Sequence, residues 1–66
     1  MIINLNNNPV TISKETSLQQ ILEEYHISSK GIAVAINNQI VSRGSWSDTF
    51  LKENDQLTII KATQGG

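Results

Sequence analysis

The sequence contains no cysteine, one proline and only one residue each of tryptophan, tyrosine and phenylalanine among its 66 residues. The absence of cysteine excludes disulfide bonds, thiolate metal ligands and a cysteine nucleophile. No apolar run approaches the roughly 18 residues of a membrane-spanning helix, and the N-terminal segment lacks the charged and apolar regions of a secretory signal. We therefore expect a cytoplasmic protein without a membrane partner.

The sequence also lacks a marked excess of positive or negative charge. Five Lys and Arg residues stand against six Asp and Glu residues, which gives a net charge of −1 without a basic cluster. Sequence-independent nucleic-acid binding depends on many contacts between Lys or Arg and phosphates, so we expect no nucleic-acid partner. A chain of 66 residues buries only about 60% of the surface that its unfolded form exposes. It therefore forms one domain with a small core, and a self-contained enzyme is not expected.

The first third of the chain has the pattern of a hairpin followed by a helix. A turn signal, Asn6-Asn7-Asn8-Pro9, lies between two predicted strands, Ile2 to Leu5 and Val10 to Ser13. Three asparagines before a proline fit several loop lengths, so the turn type stays open. Thr16 and Gln19 match a capping box, so a helix is predicted to begin there and to end near His26. Its apolar residues recur at helical spacing, which predicts a stripe that packs on a sheet: Leu18, Ile21, Leu22 and Tyr25.

Two further strand patterns follow the helix. The segment from Ile32 to Ile36 is apolar at every position, which is typical of a strand covered on both faces. Asn37-Asn38 predicts a two-residue hairpin turn, and the segment from Gln39 to Ser42 predicts the returning strand. Trp46 and Phe50 lie four residues apart, with Leu51 next to Phe50. This spacing predicts a short helical turn that presses both aromatic rings onto the edge of the core.

The last predicted strand runs from Gln56 to Ala62 and is apolar enough to require a central place in the sheet. If Leu57 and Ile59 point inward, then Ile60 and Ala62 lie on the opposite face, where they are candidate partner-docking residues. The predicted fold class is α+β, with the element order ββαββ, a short turn and a final β-strand. We expect a mixed sheet of about five strands with one helix on one face.

The sequence ends in Gly65-Gly66 after a polar step. Glycine has no Cβ and reaches backbone angles closed to other residues, so a terminus of this kind could enter a narrow active site. We therefore expect a folded domain over residues 1–62 and a flexible tail over residues 63–66. The carboxylate of Gly66 is the candidate reactive group, on the expectation that the native chain ends there.

The segment from Ala33 to Trp46 resembles the central segment of the sulfur carrier proteins of thiamine biosynthesis, the ThiS family. The shared features are an Ala-rich strand, an Asn turn, an Ile-Val strand and an Arg-x-x-Trp step. The resemblance continues through Asn54-Asp55-Gln56 to Gly65-Gly66 and implies the ubiquitin-like β-grasp fold. Three positions depart from the family pattern: Ser42 where proline is frequent, Asn54 where glycine is frequent, and Gln64 where small apolar residues are frequent.

The resemblance implies that Gly66 is modified by partner enzymes. A sulfur carrier adenylyltransferase would use ATP to convert the Gly66 carboxylate to an acyl-adenylate. A persulfide donor such as a cysteine desulfurase would supply sulfur for a thiocarboxylate, which thiazole synthase would then use. Thr63, Gln64 and Gly65 would enter the partner active sites, and Arg43 is a further candidate docking residue.

The chain itself is then a protein co-substrate and not an enzyme. The sequence shows no catalytic constellation, because Glu23 and Glu24 are adjacent on the helix and face different directions. The lone His26 is interpreted as a partner of the helix dipole. We expect no metal site and no bound cofactor, with ATP used only by the adenylyltransferase, and a monomer when the protein is free.

Three other functions stay open at this point. A molybdopterin sulfur carrier would share the fold and tail, a ubiquitin-like modifier would join Gly66 to a target lysine, and a plain β-grasp interaction module would make no use of its tail.

Overall fold

The computed structural model describes residues 1–61, which form one sheet, one α-helix and one 3₁₀ helix. The predicted α+β class and the predicted order of elements are confirmed. The strands are β1 (Ile2–Leu5), β2 (Asn8–Thr11), β3 (Ile32–Ile36), β4 (Gln39–Ile40) and β5 (Gln56–Lys61), the α-helix is α1 (Leu18–Glu24), and the 3₁₀ helix spans Arg43–Asp48.

The strand order across the sheet is β2-β1-β5-β3-β4. The pairing between β1 and β5 is parallel and the other three pairings are antiparallel. The last strand therefore lies at the centre, as its apolar sequence predicted. Leu57 and Ile59 of β5 face the helix and are 1% and 9% exposed.

Each hairpin turns on a pair of asparagines in the left-handed backbone region. Asn6 and Asn7 have φ values of 50° and 69°, and Asn37 and Asn38 have values of 51° and 69°. Asparagine tolerates this region better than most residues, so these pairs make the tight turns that antiparallel neighbours need.

The turn of the first hairpin is shorter than the Asn6-Asn7-Asn8-Pro9 signal. It contains only the first two asparagines, and β2 spans Asn8–Thr11 where the sequence predicted a strand from Val10 to Ser13. Pro9 lies inside β2, paired with Asn4. Proline has no backbone N–H to donate. This position is compatible with proline because β2 is an edge strand and has only one neighbouring strand to bond.

The helix begins one residue later than predicted. Ser17 and not Thr16 is the N-cap: the Ser17 hydroxyl accepts from the Gln20 N–H at 3.1 Å, and the Gln20 side chain accepts from the Ser17 N–H at 2.8 Å. Both registers match the capping-box pattern. The Thr16 hydroxyl instead donates to the carbonyl of Ser13 at 2.6 Å, which holds Thr16 in the preceding loop.

This register gives a first testable prediction. Gln20→Ala is expected to lower the free energy of unfolding by about 1 kcal/mol, because it removes one half of the capping box. Gln19→Ala is the matched control and should cost little, because Gln19 makes only an exposed bond to Glu23. Urea denaturation of the two variants measures the difference, and a larger loss in Gln19→Ala would favour Thr16 as the cap.

The helix also ends before the predicted position, at Glu24. Ile27 N–H donates to the Leu22 carbonyl at 2.8 Å and His26 N–H donates to the Glu23 carbonyl at 3.2 Å. This pattern is a Schellman motif, and His26 takes its left-handed position with a φ of 56°. Tyr25, predicted on the apolar stripe, is the C-cap and is 37% exposed.

The core lies between α1 and one face of the sheet, closed at its edge by the 3₁₀ helix. Its buried residues come from every part of the described chain: Ile3, Ile12, Leu18, Ile21, Leu22, Val34, Trp46, Leu51, Leu57 and Ile59.

Trp46 is 2% exposed, as predicted, but the pairing of Trp46 with Phe50 is wrong. The 3₁₀ helix ends at Asp48 and the chain becomes extended, so Phe50 is 53% exposed and Leu51 enters the core.

The prediction that both faces of β3 are covered holds only in part. Val34 is fully buried against the core and Ala35 on the opposite face is 7% exposed, but Ala33 on the face of Ala35 is exposed. Alanine presents little apolar surface to water, so the partly covered face can carry it. The returning strand β4 is shorter than predicted, although the Val41 N–H still donates to the Val34 carbonyl at 2.8 Å.

Candidate functional site

The alternating orientation of side chains along β5 determines where Ile60, the first candidate site residue, lies. Leu57 and Ile59 are buried in the core, whereas Ile60 points away from the helix and is 50% exposed. This orientation follows from the two-residue period of a strand. Ile60 is therefore accessible for docking, and its docking role stays a prediction.

The register of the sheet shows which residues share the face of Ile60. Ala33 is paired with Ile60, and Ala35 is paired with both Thr58 and Ile40. We call this the open face and define it by its exposed members, Ala33, Ile40, Thr58 and Ile60. Ile40 was missed at the sequence level. It is 69% exposed, and only its pairing with Ala35 places it on this face.

The end of β5 is fixed on both of its sides. The side-chain carbonyl of Asn6 accepts from the Ile59 N–H at 2.8 Å, and the Asn6 N–H donates to the Leu57 carbonyl at 2.9 Å. On the other side Lys61 is paired with Ile32 of β3. The strand that leads to the candidate tail is thus held in the sheet up to its last described residue.

Arg43 has local partners within the fold. Its guanidinium donates to the Ser29 carbonyl at 2.6 Å and lies over the Trp46 ring, 4.8 Å from the ring centroid. The Trp46 indole N–H donates to the Val41 carbonyl at 3.0 Å. These contacts join the 3₁₀ helix to the loop before β3. A docking role for Arg43 stays a prediction.

The remaining predicted site residues lie outside the described part of the chain. They are Ala62, Thr63, Gln64, Gly65 and Gly66.

Within residues 1–61, His, Asp and Glu form no group of three or more that is placed to hold a metal ion. The α-helix and the 3₁₀ helix of this part have seven and six residues, and neither has the length or the apolar content for a membrane span.

Comparison with known proteins identifies the family. The model of the ThiS family matches residues 3–66, nearly the whole sequence. The chain belongs to the ThiS family. The sulfur carrier protein ThiS of Escherichia coli is 29% identical over 66 residues, and the match covers 100% of both chains.

A second relative is much longer than this chain. A thiazole synthase of Magnetococcus marinus is 32% identical over 66 residues, which cover 100% of this chain and 20% of that protein. The chain therefore spans about a fifth of the length of this relative.

The fold is confirmed by a solved structure. The crystal structure of a thiamine biosynthesis protein (ThiS) from Geobacter metallireducens superposes with a TM-score of 0.87, at 19% identity and with 100% of both chains covered. The ubiquitin-like β-grasp fold predicted for this chain is thereby confirmed.

Proposed function

We propose that this protein is a sulfur carrier of thiamine biosynthesis and that its reactive group is the carboxylate of Gly66. The observation that carries this proposal is the match to the ThiS family over residues 3–66, which includes both terminal glycines. The co-extensive similarity to the sulfur carrier protein ThiS of Escherichia coli supports it.

The described structure supports a carrier that presents its terminus. Lys61 ends a strand that is hydrogen-bonded on both sides, and Gly66 is the fifth residue after Lys61. Five extended residues reach at most about 17 Å. A rigid domain with an extension of this length can place a terminal carboxylate inside a partner enzyme while the domain stays on the surface of that enzyme.

The carboxylate needs activation before it can accept sulfur, because its delocalised negative charge repels nucleophiles. In the proposed first step a partner adenylyltransferase joins the Gly66 carboxylate to the α-phosphate of ATP. This step forms an acyl-adenylate and releases pyrophosphate. The bond between the carbonyl carbon and the AMP oxygen then breaks readily, because AMP is a stable leaving group.

Sulfur is delivered in the second step. The terminal sulfur of a persulfide, such as that of a cysteine desulfurase, attacks the activated carbonyl and displaces AMP to form an acyl disulfide. A thiol then reduces the S–S bond, which leaves a thiocarboxylate on Gly66 and a disulfide elsewhere. Sulfur is thus carried on the main chain of a protein that has no cysteine.

The proposed acceptor of the sulfur is thiazole synthase. The thiazole synthase of Magnetococcus marinus contains a segment that is similar to this entire chain, which supports a link between the carrier and that enzyme. In this proposal the carrier supplies no catalytic residue and binds no cofactor, since both steps take place in the active sites of its partners.

Intact-protein mass spectrometry tests the proposal. The wild-type chain is incubated with ATP and a matched adenylyltransferase, with and without a persulfide donor and a thiol. We expect an AMP adduct without the donor, and a single exchange of oxygen for sulfur with it. The matched control is a chain that lacks Gly66, for which neither product is expected.

Two results would contradict the proposal. An unchanged wild-type mass with a competent activating enzyme would favour a plain interaction module. Conjugates of higher mass, linked through Gly66 to lysines of other proteins, would favour a ubiquitin-like modifier.

A further inference from the structure

A cleft of about 510 Å³ opens on the helix side of the fold, next to the end of β5. It lies between the segment that follows α1 and the ends of three strands. Its lining residues are Leu5, Asn6, Tyr25, His26, Ile27, Ser28, Lys30, Ile32, Ile59 and Lys61. We call it the strand-end cleft. It is separate from the open face, because Ile59 points to the opposite side of β5 from Ile60.

The floor and the rim of the strand-end cleft differ in chemistry. The floor is apolar, with Leu5, Ile27 and Ile32 partly buried and Ile59 buried. The rim is polar and exposed, and its members are Tyr25, His26, Ser28, Lys30 and Lys61. A ligand that fills this cleft therefore needs an apolar part and a polar part.

The rim also carries basic residues without acidic ones. Two of the five basic residues of the chain, Lys30 and Lys61, line the cleft together with His26, whereas none of its six acidic residues does. The whole chain has a net charge of −1. The strand-end cleft is therefore complementary to a negatively charged group.

The segment from Tyr25 to Lys30, which carries four of the five rim residues, is held in a fixed shape. The Schellman motif fixes His26 and Ile27, and the Ser28 hydroxyl accepts from the Lys30 N–H at 3.2 Å. The Arg43 guanidinium holds the same segment at Ser29 from the outside. The backbone that carries these four rim residues is thus arranged before any ligand arrives, which lowers the entropic cost of binding.

We propose that the strand-end cleft docks an acidic segment of the enzyme that activates Gly66. The occupant would place carboxylates between Lys30 and Lys61 and an apolar side chain on the floor. This inference rests on the proposed function. Its second support is position: Lys61 lines the cleft and is only five residues from Gly66, so an enzyme that encloses the terminus lies beside the cleft.

Four charge-reversal variants, each of which replaces one lysine by glutamate, test this proposal. Lys30→Glu and Lys61→Glu change the cleft, while Lys14→Glu and Lys52→Glu are controls at exposed positions outside its lining. The assay measures adenylation of the carrier as a function of its concentration and of salt. Lys30→Glu is the sharper variant, because Lys30 is far from Gly66 along the chain.

We expect each cleft variant to raise KM for the carrier by about tenfold with kcat nearly unchanged, since a positioned charge pair contributes to docking and not to the chemical step. The difference from wild type should shrink as salt screens the pairing. The controls should stay within about twofold of wild type. Thermal melts of all four variants verify that each is folded.

Three results would overturn the proposal. Wild-type KM in both cleft variants would show that the cleft is not used. An equal rise in the controls would show general electrostatic attraction without a docking site. Nuclear Overhauser contacts between the Gly66 protons and the Tyr25 ring in the free wild-type protein would make the chain's own terminus the occupant. A wild-type chain that is not adenylated at all would instead contradict the proposed function.

Discussion

A chain with Leu57 replaced by alanine is expected to lose about 2 to 5 kcal/mol of its free energy of unfolding. Leu57 is 1% exposed on the central strand and is paired with Leu5 on one side and Ile36 on the other. The truncation leaves a cavity where three strands and the helix meet. A domain of this size has only about 3 to 10 kcal/mol of stability, so much of the protein is expected to unfold at moderate temperature.

Urea denaturation followed by Trp46 fluorescence measures this loss, because Trp46 is the single tryptophan and is buried in the same core. Ile60→Ala is the matched control on the same strand. Ile60 is half exposed, so its truncation should cost less than about 1 kcal/mol. Similar losses in the two variants would contradict the assignment of opposite faces to Leu57 and Ile60.

The second large effect is expected in partner binding and not in stability. Ile60→Lys should weaken binding to the proposed adenylyltransferase partner by about 30-fold, the equivalent of about 2 kcal/mol for a residue at the centre of a contact. The reason is that Ile60 offers exposed apolar surface next to Ala33 on the open face. A lysine there adds a charge that must be dehydrated when the complex forms. Isothermal titration calorimetry measures the affinity.

Thr11→Lys is the control for this variant. Thr11 is exposed on the edge strand β2, two strands away from β5 in the sheet, so it adds the same charge far from the proposed contact. Affinity within about twofold of wild type is expected for Thr11→Lys. If Ile60→Lys also bound like wild type, the open face around Ile60 would take no part in docking.

Local sequence patterns predicted the parts of the fold that depend on local chemistry. The alternation in β5 predicted that Leu57 and Ile60 lie on opposite faces of the sheet, and the structure places Leu57 in the core and Ile60 on the exposed face. Asn37-Asn38 predicted a tight turn, and both residues have positive φ. These features depend on backbone preference and strand periodicity. Both are properties of a residue and its nearest neighbours in the sequence.

The features that sequence patterns missed depend on distant parts of the chain. Thr16 and Ser17 both fit a capping box, and the register is coupled to hydrogen bonds with the segment after the 3₁₀ helix: the Leu18 N–H donates to the Thr49 carbonyl at 2.7 Å. The same segment is extended through Phe50, which is bridged to Ser17. Phe50 therefore cannot share a helical turn with Trp46.

The features of the candidate site also differ in whether local sequence or distant parts of the chain determine them. Ile60 followed from the period of one strand, whereas Ile40 joins the open face only through its pairing with Ala35. The strand-end cleft had no sequence signal at all. It exists because packing brings the Tyr25 to Lys30 segment against the end of β5, more than thirty residues later in the sequence.

The central place of β5 has a mechanical consequence. An enzyme that pulls on the segment beyond Lys61 applies force along the axis of a strand that is bonded to β1 on one side and to β3 on the other. The hydrogen bonds lie roughly across this force and are loaded together in shear, whereas the bonds of a strand peeled away sideways would break one after another. The domain is therefore built to resist traction at its C-terminal end, so withdrawal of the terminus from a tight channel need not unravel the sheet.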